Sequence, residues 1–292
     1  NCCSNSRKIH MLLLALDTST RQASLAICTE DELLGEYTWH VGNNHSVELL
    51  DRIRRIVVEC NKTMQEIDVV AVATGPGSFN GVRVAVSAAK ALAFSLQKPI
   101  VGVSTLDIIA AQQQHWHGPI CSIIEAGRSE LYAACYTFDK TSNSNGDIVY
   151  SMYQLSDYLL LSPQQLASYL QEQAGTWFGV PGKRELPVFL YCGEISPASR
   201  QALFAQMQEE CAFVNSLQST RKASVLAMLA LQRLHDGKED NPMRLEPLYL
   251  RRPSITTSTR KQPLLGGISK RPPGHSPTGP SETEREEGAL RH

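Results

Sequence analysis

Apolar residues follow two different periods along the chain, and each change of period marks the start of a predicted element. The run MLLLALDTS at 11–19 is apolar at most positions, which is typical of a buried central strand. Residues 46–60 instead carry apolar side chains at three- and four-residue spacing between charged ones, which predicts an amphipathic helix. The first half is predicted to hold strands at 11–19, 23–29, 33–41, 68–73 and 99–104. Its predicted helices lie at 46–60, between the glycine-rich stretch GPGSFNG and about residue 96, and at 105–114.

The second half of the chain begins with the same kind of pattern. ICSIIEAG at 120–127 is an apolar strand that ends in an acidic residue followed by small ones. The other predicted elements are strands at 129–138, 148–155 and 187–193 and helices at 162–173, 196–210 and 222–237. Three strands followed by helices and strands therefore occur twice, less regularly the second time, although the two halves share negligible identity.

This order of elements predicts an α/β fold of two tandem RNase H-like domains, the architecture of the actin, sugar kinase and chaperone ATPase (ASKHA) superfamily. Such a fold carries no function by itself. We expect an N-terminal domain at 11–115 and a smaller or degenerate C-terminal domain at 116–252. Residues 1–10 are expected to be a disordered extension before the first methionine. The Pro- and Gly-rich tail at 253–292 is expected to be disordered, because it cannot bury enough apolar surface.

Composition narrows the class of protein. The net charge is −1, so the chain has no excess of positive charge with which to grip nucleic acid alone. No apolar run approaches the roughly eighteen residues of a membrane span, and no signal peptide follows the first apolar run, so a cytoplasmic location is expected. The eight cysteines form no C-x-x-C pair, which excludes the usual zinc ribbon; we expect them to be reduced and mostly buried.

Two interpretations fit the turn Asp17-Thr18-Ser19-Thr20 after the first strand. In the ASKHA architecture this turn faces nucleotide phosphate, and its hydroxyl and backbone N–H groups can hold phosphate oxygens. The alternative is a turn stabilised by local hydrogen bonds, which Asp, Ser and Thr favour. The counterpart in the second half, residues 125–128 (EAGR), lacks the pair of hydroxyls, and this weakens the case for a two-sided phosphate clamp.

The stretch VATGPGSFNGVR at 72–83 resembles a phosphate loop but fails both nucleotide fingerprints. Gly81 is followed by Val82 and Arg83 rather than by the lysine of a P-loop, and Asn80 stands where a dinucleotide loop needs its third glycine. The helix N-terminus that follows still offers N–H groups to an anion. A simpler interpretation is a strand-to-helix turn with Ser78 as N-cap, leading into an alanine-rich helix that another helix can approach closely.

Candidate metal ligands and nucleophiles are few. A helical zinc or iron site at His45 needs a second histidine four residues on, where Leu49 stands. His115 and His117 flank a tryptophan and have the spacing of a weak chelate, but exposed loop residues are the expected interpretation. No Ser, Cys or His lies in a recognisable nucleophile motif. The residues alone therefore predict no catalytic centre and no metal site.

Several motifs together resemble the bacterial TsaB (YeaZ) family. They are LLALDTST at 13–20, HSVELL at 45–50, ATGPGSFNGVRVAVSAAKALA at 73–93, GVSTLDIIA at 102–110 and EPLYLR at 246–251. The resemblance covers nearly all of 11–252. Its departures are Asn80, where the family usually has threonine, and Glu125, where it usually has aspartate.

The resemblance implies the tandem RNase H-like fold and a role in forming threonylcarbamoyladenosine on tRNAs that read codons starting with A. In that pathway TsaB is the non-catalytic partner of TsaD, which performs the transfer, and TsaE, a P-loop ATPase, joins the pair. No protease activity is expected. The chain itself needs no cofactor; ATP, magnesium and the catalytic metal belong to partner subunits, tRNA is reached only through the complex, and the chain alone can form a homodimer.

The resemblance also implies the partner-binding face. The helices after His45 and after GPGSFNG resemble the dimerisation helices of the family and are expected to bind TsaD or a second copy. The residues assigned to this interface are His45, Leu49, Leu50, Gly75, Pro76, Gly77, Ser78, Phe79, Asn80, Gly81, Arg83, Ala88 and Ala89.

Two other functions remain open on the sequence. One is a small-molecule kinase or ATPase of the same superfamily that uses 17–20 as its phosphate turn. The other is a homodimeric interaction module outside RNA modification.

Overall fold

The computed structural model describes residues 11–41, 45–142, 146, 148–178 and 187–251. The predictions for the extension at 1–10 and the tail at 253–292 lie outside these residues. Among the helices of the described ranges, none combines the length and the apolar character that a membrane-spanning segment needs. The six cysteines in those ranges are free thiols, four buried and two half-buried, which confirms the expected burial.

The first sheet forms around the first apolar run of the sequence. Its five strands are β1 (Leu13–Asp17), β2 (Gln22–Cys28), β3 (Leu33–His40), β4 (Val69–Ala73) and β5 (Ile100–Val103). Their order in the sheet is β3-β2-β1-β4-β5. β1, β2 and β3 pair antiparallel, and β4 and β5 continue parallel to β1. The turns that follow β1 and β4 therefore lie side by side at one edge of the sheet.

The second sheet repeats this order. Its strands are β6 (Ile120–Gly127), β7 (Glu130–Ser142), β8 (Ile148–Gln154), β9 (Leu159–Leu161), β10 (Phe189–Glu194) and β11 (Cys211–Phe213). Along the sheet they run β11-β10-β6-β7-β8, with β9 paired to β7. Again three antiparallel strands are followed by two parallel ones. This repetition confirms the predicted fold class, an α/β fold of two tandem RNase H-like units.

In the described part of the chain, six α-helices accompany the sheets, each at a place where the sequence predicted a helix. They are α1 (His45–Glu59), α2 (Phe79–Leu96), α3 (Thr105–Ala111), α4 (Pro163–Phe178), α5 (Pro197–Met207) and α6 (Ala223–His235). Among the strands and α-helices of the described residues, only the three-residue strands β9 and β11 have no predicted counterpart, because so short a run carries too little period to be recognised.

Alternating side chains of β1 face two different apolar layers. Leu14 and Leu16 pack with α1 and α2, whereas Leu13 and Ala15 pack with α6. α3 contributes to the layer on α6 and also to the layer on the second sheet. α6 thus returns to the first sheet although it follows the second in sequence. The predicted domain boundary at 115/116 falls between α3 and β6 and stays a prediction.

Candidate functional site

The turn Asp17–Thr20 closes on itself. It follows β1, and each of its four residues is buried. Oδ1 of Asp17 accepts hydrogen bonds from the backbone N–H of Ser19, at 2.8 Å, and from its hydroxyl, at 2.5 Å. These bonds are the local ones that the sequence offered as the alternative to phosphate binding.

A buried arginine occupies the space that the turn faces. Arg221, immediately before α6, is 1% exposed. Its Nε donates to Oδ2 of Asp17 at 2.7 Å, and its Nη2 donates to Oγ1 of Thr20 at 2.8 Å and to the carbonyl of Gln22 at 2.6 Å. Its Nη1 pairs with Oε1 of Glu194, at the end of β10. Both carboxylate oxygens of Asp17 are therefore engaged by protein donors.

The charge of Arg221 is held by its carboxylate partners. Burial alone lowers the pKa of this guanidinium, but the nearby charges of Asp17 and Glu194 outweigh burial and raise it. Thr20 adds a hydroxyl donor to Glu194 at 2.6 Å. The four side chains form one network that ties the first sheet to the second, with a permanent positive charge at its centre.

No sequence pattern pointed to Arg221 or Glu194. The segment STRKAS at 219–224 has the composition of an exposed N-terminal helix turn, and EIS at 194–196 that of a polar loop. Their roles appear only when the order of the sheets brings the end of β10 towards the end of β1. Local sequence patterns cannot indicate this pairing, since residues 17 and 221 are 204 positions apart.

The glycine-rich stretch packs onto the phosphate turn. The N–H of Ser78 donates to the carbonyl of Ser19 at 2.6 Å, and the hydroxyl of Thr18 donates to the carbonyl of Gly81 at 2.6 Å. A Cβ at Gly77 or Gly81 would overlap the carbonyl oxygen of Ser19 or Thr18, respectively. The side chain of Ser78 also accepts from the N–H of Gly81, which confirms the predicted N-cap of α2. The two glycines thus permit close contact between two turns.

An open apolar groove lies between α1 and α2. It has a volume of about 480 Å³ and is lined by Leu49, Leu50, Arg83, Val84, Ser87, Ala88, Ala91 and Leu92. Leu49 is fully buried, whereas Leu50 is 47% exposed. The small side chains of α2 keep the groove open, and only the arginine carries charge.

One end of α2 is held by the EPLYLR segment. The ring of Tyr249 lies 5.3 Å from that of Phe79, and its hydroxyl accepts from Nε of Arg83 at 3.0 Å. The guanidinium carbon of Arg83 lies 4.0 Å from the centre of the Phe79 ring. Leu248 donates its N–H to the carbonyl of Thr74 at 2.7 Å. Two motifs that are 150 residues or more apart therefore form one surface next to the groove.

The predicted interface residues fall into three groups by their exposure to solvent. Leu50, Ser78, Phe79, Asn80 and Arg83 are exposed, Gly77 and Ala88 are partly exposed, and Leu49, Gly75, Pro76, Gly81 and Ala89 are buried. His45 begins α1, and its side chain lies outside the described residues. The assignment of Ala89 to a contact surface needs correction: it is 0% exposed, because it lies on the side of α2 that faces the first sheet. Gly75, Pro76 and Gly81 are buried as well, so they support the predicted interface and do not form its exposed surface.

The remaining candidates are engaged within the chain. Oε1 of Glu125 accepts from the N–H of Ser196 at 2.8 Å, next to the start of α5. Nδ1 of His115 lies 2.9 Å from the hydroxyl of Tyr150, and the two rings meet edge to face. Among the described side chains, no group of three or more His, Cys, Asp or Glu is placed to hold a metal ion.

Known proteins resemble the chain in sequence and in structure. A family model described as TsaD: tRNA N6-adenosine threonylcarbamoyltransferase matches residues 40–258. "tRNA threonylcarbamoyladenosine biosynthesis protein TsaB" of Haemophilus influenzae is 30% identical over 56% of this chain and 69% of its own length. The protein of the same name from Bacillus subtilis is 38% identical over 44% of this chain, and the match spans 56% of that relative.

The fold comparison agrees with these matches. YeaZ from Pseudomonas aeruginosa superposes with a TM-score of 0.63 at 26% identity, over 82% of this chain and all of that one. The family model covers more than half of the chain, and the Haemophilus relative is matched over more than two thirds of its length. The chain therefore belongs to the TsaD family as that model defines it and, within it, to the TsaB (YeaZ) group.

Proposed function

We propose that this chain is the non-catalytic, partner-binding subunit of the machinery that makes threonylcarbamoyladenosine in tRNA. The names of its relatives from Bacillus subtilis and Haemophilus influenzae place those proteins in this biosynthesis. The partner is a TsaD homologue, which carries out the transfer; a TsaE homologue joins the pair, and tRNA is reached only through the complex. A second copy of the chain takes the place of TsaD when the chain is alone.

The observation that carries this proposal is the open groove between α1 and α2. The groove exposes leucine, valine and alanine side chains to solvent. Covering them with another apolar surface lowers the free energy and so favours binding of a partner. Its small side chains, Ser87, Ala88 and Ala91, allow a partner helix to approach α2 closely. Phe79, Arg83 and Tyr249 provide an aromatic and cationic rim beside it, and such residues are enriched where proteins bind each other.

The phosphate turn supports the non-catalytic part of the proposal. A magnesium nucleotide at this turn needs a free carboxylate oxygen on Asp17 and room for phosphate, but both oxygens accept protein hydrogen bonds. Arg221 and the glycine-rich stretch fill the adjoining space. The residues present do not fit such a group, so ATP, magnesium and the catalytic metal are assigned to partner subunits. The chain is not expected to hydrolyse peptides.

A charge placed in the groove tests the proposal. Ala88→Glu puts a carboxylate against apolar side chains on both helices, and its burial under a partner is costly. We expect the affinity for the TsaD homologue to fall by at least about tenfold, as one unpaired buried charge costs more than the ~1.4 kcal/mol of a tenfold change. Ser95→Glu is the matched control, since Ser95 is exposed on the same helix outside the groove.

The two variants give a clear decision. A normally folded A88E variant that binds the TsaD homologue as tightly as the S95E variant would contradict the groove as the binding face. Co-purification of TsaD and TsaE homologues with the full chain tests the pathway separately. Recovery of neither, from cells that contain both, would favour an interaction module outside tRNA modification.

A further inference from the structure

The network around Arg221 has the geometry of a receptor for one planar cation. Four oxygen atoms from three segments converge on a single guanidinium: Oδ2 of Asp17, Oγ1 of Thr20, the carbonyl of Gln22 and Oε1 of Glu194. They engage all three guanidinium nitrogens, and the arginine is 1% exposed. Two of the four acceptors belong to carboxylates, so the cradle is negatively charged without its occupant.

We infer that this cradle is a guanidinium-binding site, which the chain fills with its own Arg221, and that removal of this side chain leaves a cavity able to bind free guanidinium ion. The inference goes beyond the proposed function and does not depend on it. In the native chain the bound side chain joins the end of β1 to the end of β10, so a covalently attached cation holds the two sheets together.

Selectivity for guanidinium follows from shape and charge together. A planar fork with five donors matches several oxygens lying around it, whereas an ammonium group is a compact point charge that cannot reach all of them. A neutral molecule of the same shape cannot compensate Asp17 and Glu194. The carboxylate of Asp17 is 1% exposed and that of Glu194 34% exposed, and carboxylates withdrawn from water are destabilising without a partner, so an occupant must supply charge as well as hydrogen bonds.

Chemical rescue of Arg221→Ala tests the inference. Thermal unfolding of the full chain is followed in low-millimolar guanidinium chloride, with sodium chloride at equal ionic strength and urea at equal concentration as comparators. Guanidinium at this level is far too dilute to denature. We expect it to raise the Tm of R221A by about 2–4 °C over both comparators, since a ligand of the folded state stabilises it. The wild-type Tm should not rise, because its cradle is full.

Arg233→Ala is the matched arginine control. Arg233 also bonds a backbone carbonyl and a carboxylate, those of Gly102 and Asp240, but its side chain is 40% exposed. Its removal opens no enclosed cavity, so guanidinium should not change the Tm of R233A relative to sodium chloride. Equal rescue of R221A and R233A, or no rescue of R221A, would overturn the inference.

A second variant covers the case in which R221A does not fold. Glu194→Gln should lower the Tm of the wild type, where it removes a partner of Arg221. The same substitution should raise the Tm of R221A, or restore its folding, because it removes a carboxylate that is only 34% exposed and has lost its cation. If E194Q has the same sign of effect in both backgrounds, the cradle is not organised around the cation and the inference fails.

Discussion

The phosphate turn and the α1–α2 groove are opposite kinds of region. The turn is rich in aspartate and hydroxyl side chains, the types from which a phosphate site can be built, yet all four of its residues are buried and bonded to the protein itself. The groove is almost entirely apolar, yet it is open to solvent. The polar region is thus part of the structural core of the molecule, whereas the apolar region is the one available to a partner.

This contrast shows why a polar motif is weak evidence for chemistry. Asp17 retains the residue type that a phosphate site needs, but its environment commits both oxygens to Ser19 and Arg221. Exposure and partners decide what a carboxylate can do. The groove, by contrast, contains no unusual residue type, and only its exposure distinguishes it from the core.

The largest effect is expected where a charge is removed from the closed turn. Asp17→Asn preserves shape but takes one carboxylate from a buried arginine, so the free energy of unfolding should fall by about 3–5 kcal/mol in urea titrations. Asp236→Asn is the control, because the Asp236–Lys238 pair is largely exposed and screened by water. If the two variants lose similar small amounts of stability, the turn is not a buried charge network.

A smaller loss is expected where the glycine-rich stretch meets the turn. Gly81→Ala places a methyl group against the carbonyl of Thr18, and overpacking of this kind should cost about 1–3 kcal/mol in free energy of unfolding. Gly175→Ala is the matched control, since nothing lies within 4 Å of a Cβ there and alanine favours the helix. A G81A variant as stable as wild type would show that the two turns are not in close contact.

Two exposed apolar residues of α1 allow a comparison between the groove and the surface outside it: Leu50 lines the groove and Val58 does not. Leu50→Asp should weaken binding of the TsaD homologue by about tenfold or more, because Leu50 lines the groove and its loss costs apolar contact as well as charge burial. Val58→Asp, on the same helix but outside the groove and 70% exposed, should leave the affinity unchanged. Equal losses for both, measured by calorimetry on folded variants, would move the interface away from the groove.

The smallest effect concerns the partly buried carboxyl of Asp107, which is bonded by two tyrosine hydroxyls rather than by a guanidinium. Burial raises the pKa of Asp107, although hydroxyl donors from Tyr136 and Tyr158 partly offset it. A raised folded-state pKa means that stability is full at low pH and falls as pH rises through that pKa. Asp107→Asn should remove this decline, so its stability relative to wild type should increase with pH in urea titrations.

Asp68 provides the opposite slope as a control. Burial tends to raise its pKa, but the N–H of Leu12 and the ammonium of Lys98 together hold it below the ordinary value. Its stabilisation is therefore lost as pH falls through the folded-state pKa. Asp68→Asn should lose stability relative to wild type as pH rises through this region. If both variants have the same sign of slope, bonding partners do not decide the state of these carboxyls.

Sequence patterns predicted the repeated elements well and the site only in part. Among the described residues, apolar runs and helical spacing located fifteen of the seventeen strands and α-helices and missed only the three-residue strands β9 and β11. The N-cap at Ser78 was also predictable, because capping is local. Arg221 and Glu194 were not, because their meeting depends on the order of strands in two sheets. Nor could spacing tell that Ala88 faces the groove while Ala89 faces the core.

Calorimetric titration of the full chain with ATP and magnesium shows whether the protein's own groups close the phosphate turn and leave the groove as the functional surface. We expect no binding in the low-micromolar range. Low-micromolar binding of magnesium ATP that Asp17→Asn abolishes, in a variant that still folds, would contradict it and would favour a kinase or ATPase of the same superfamily.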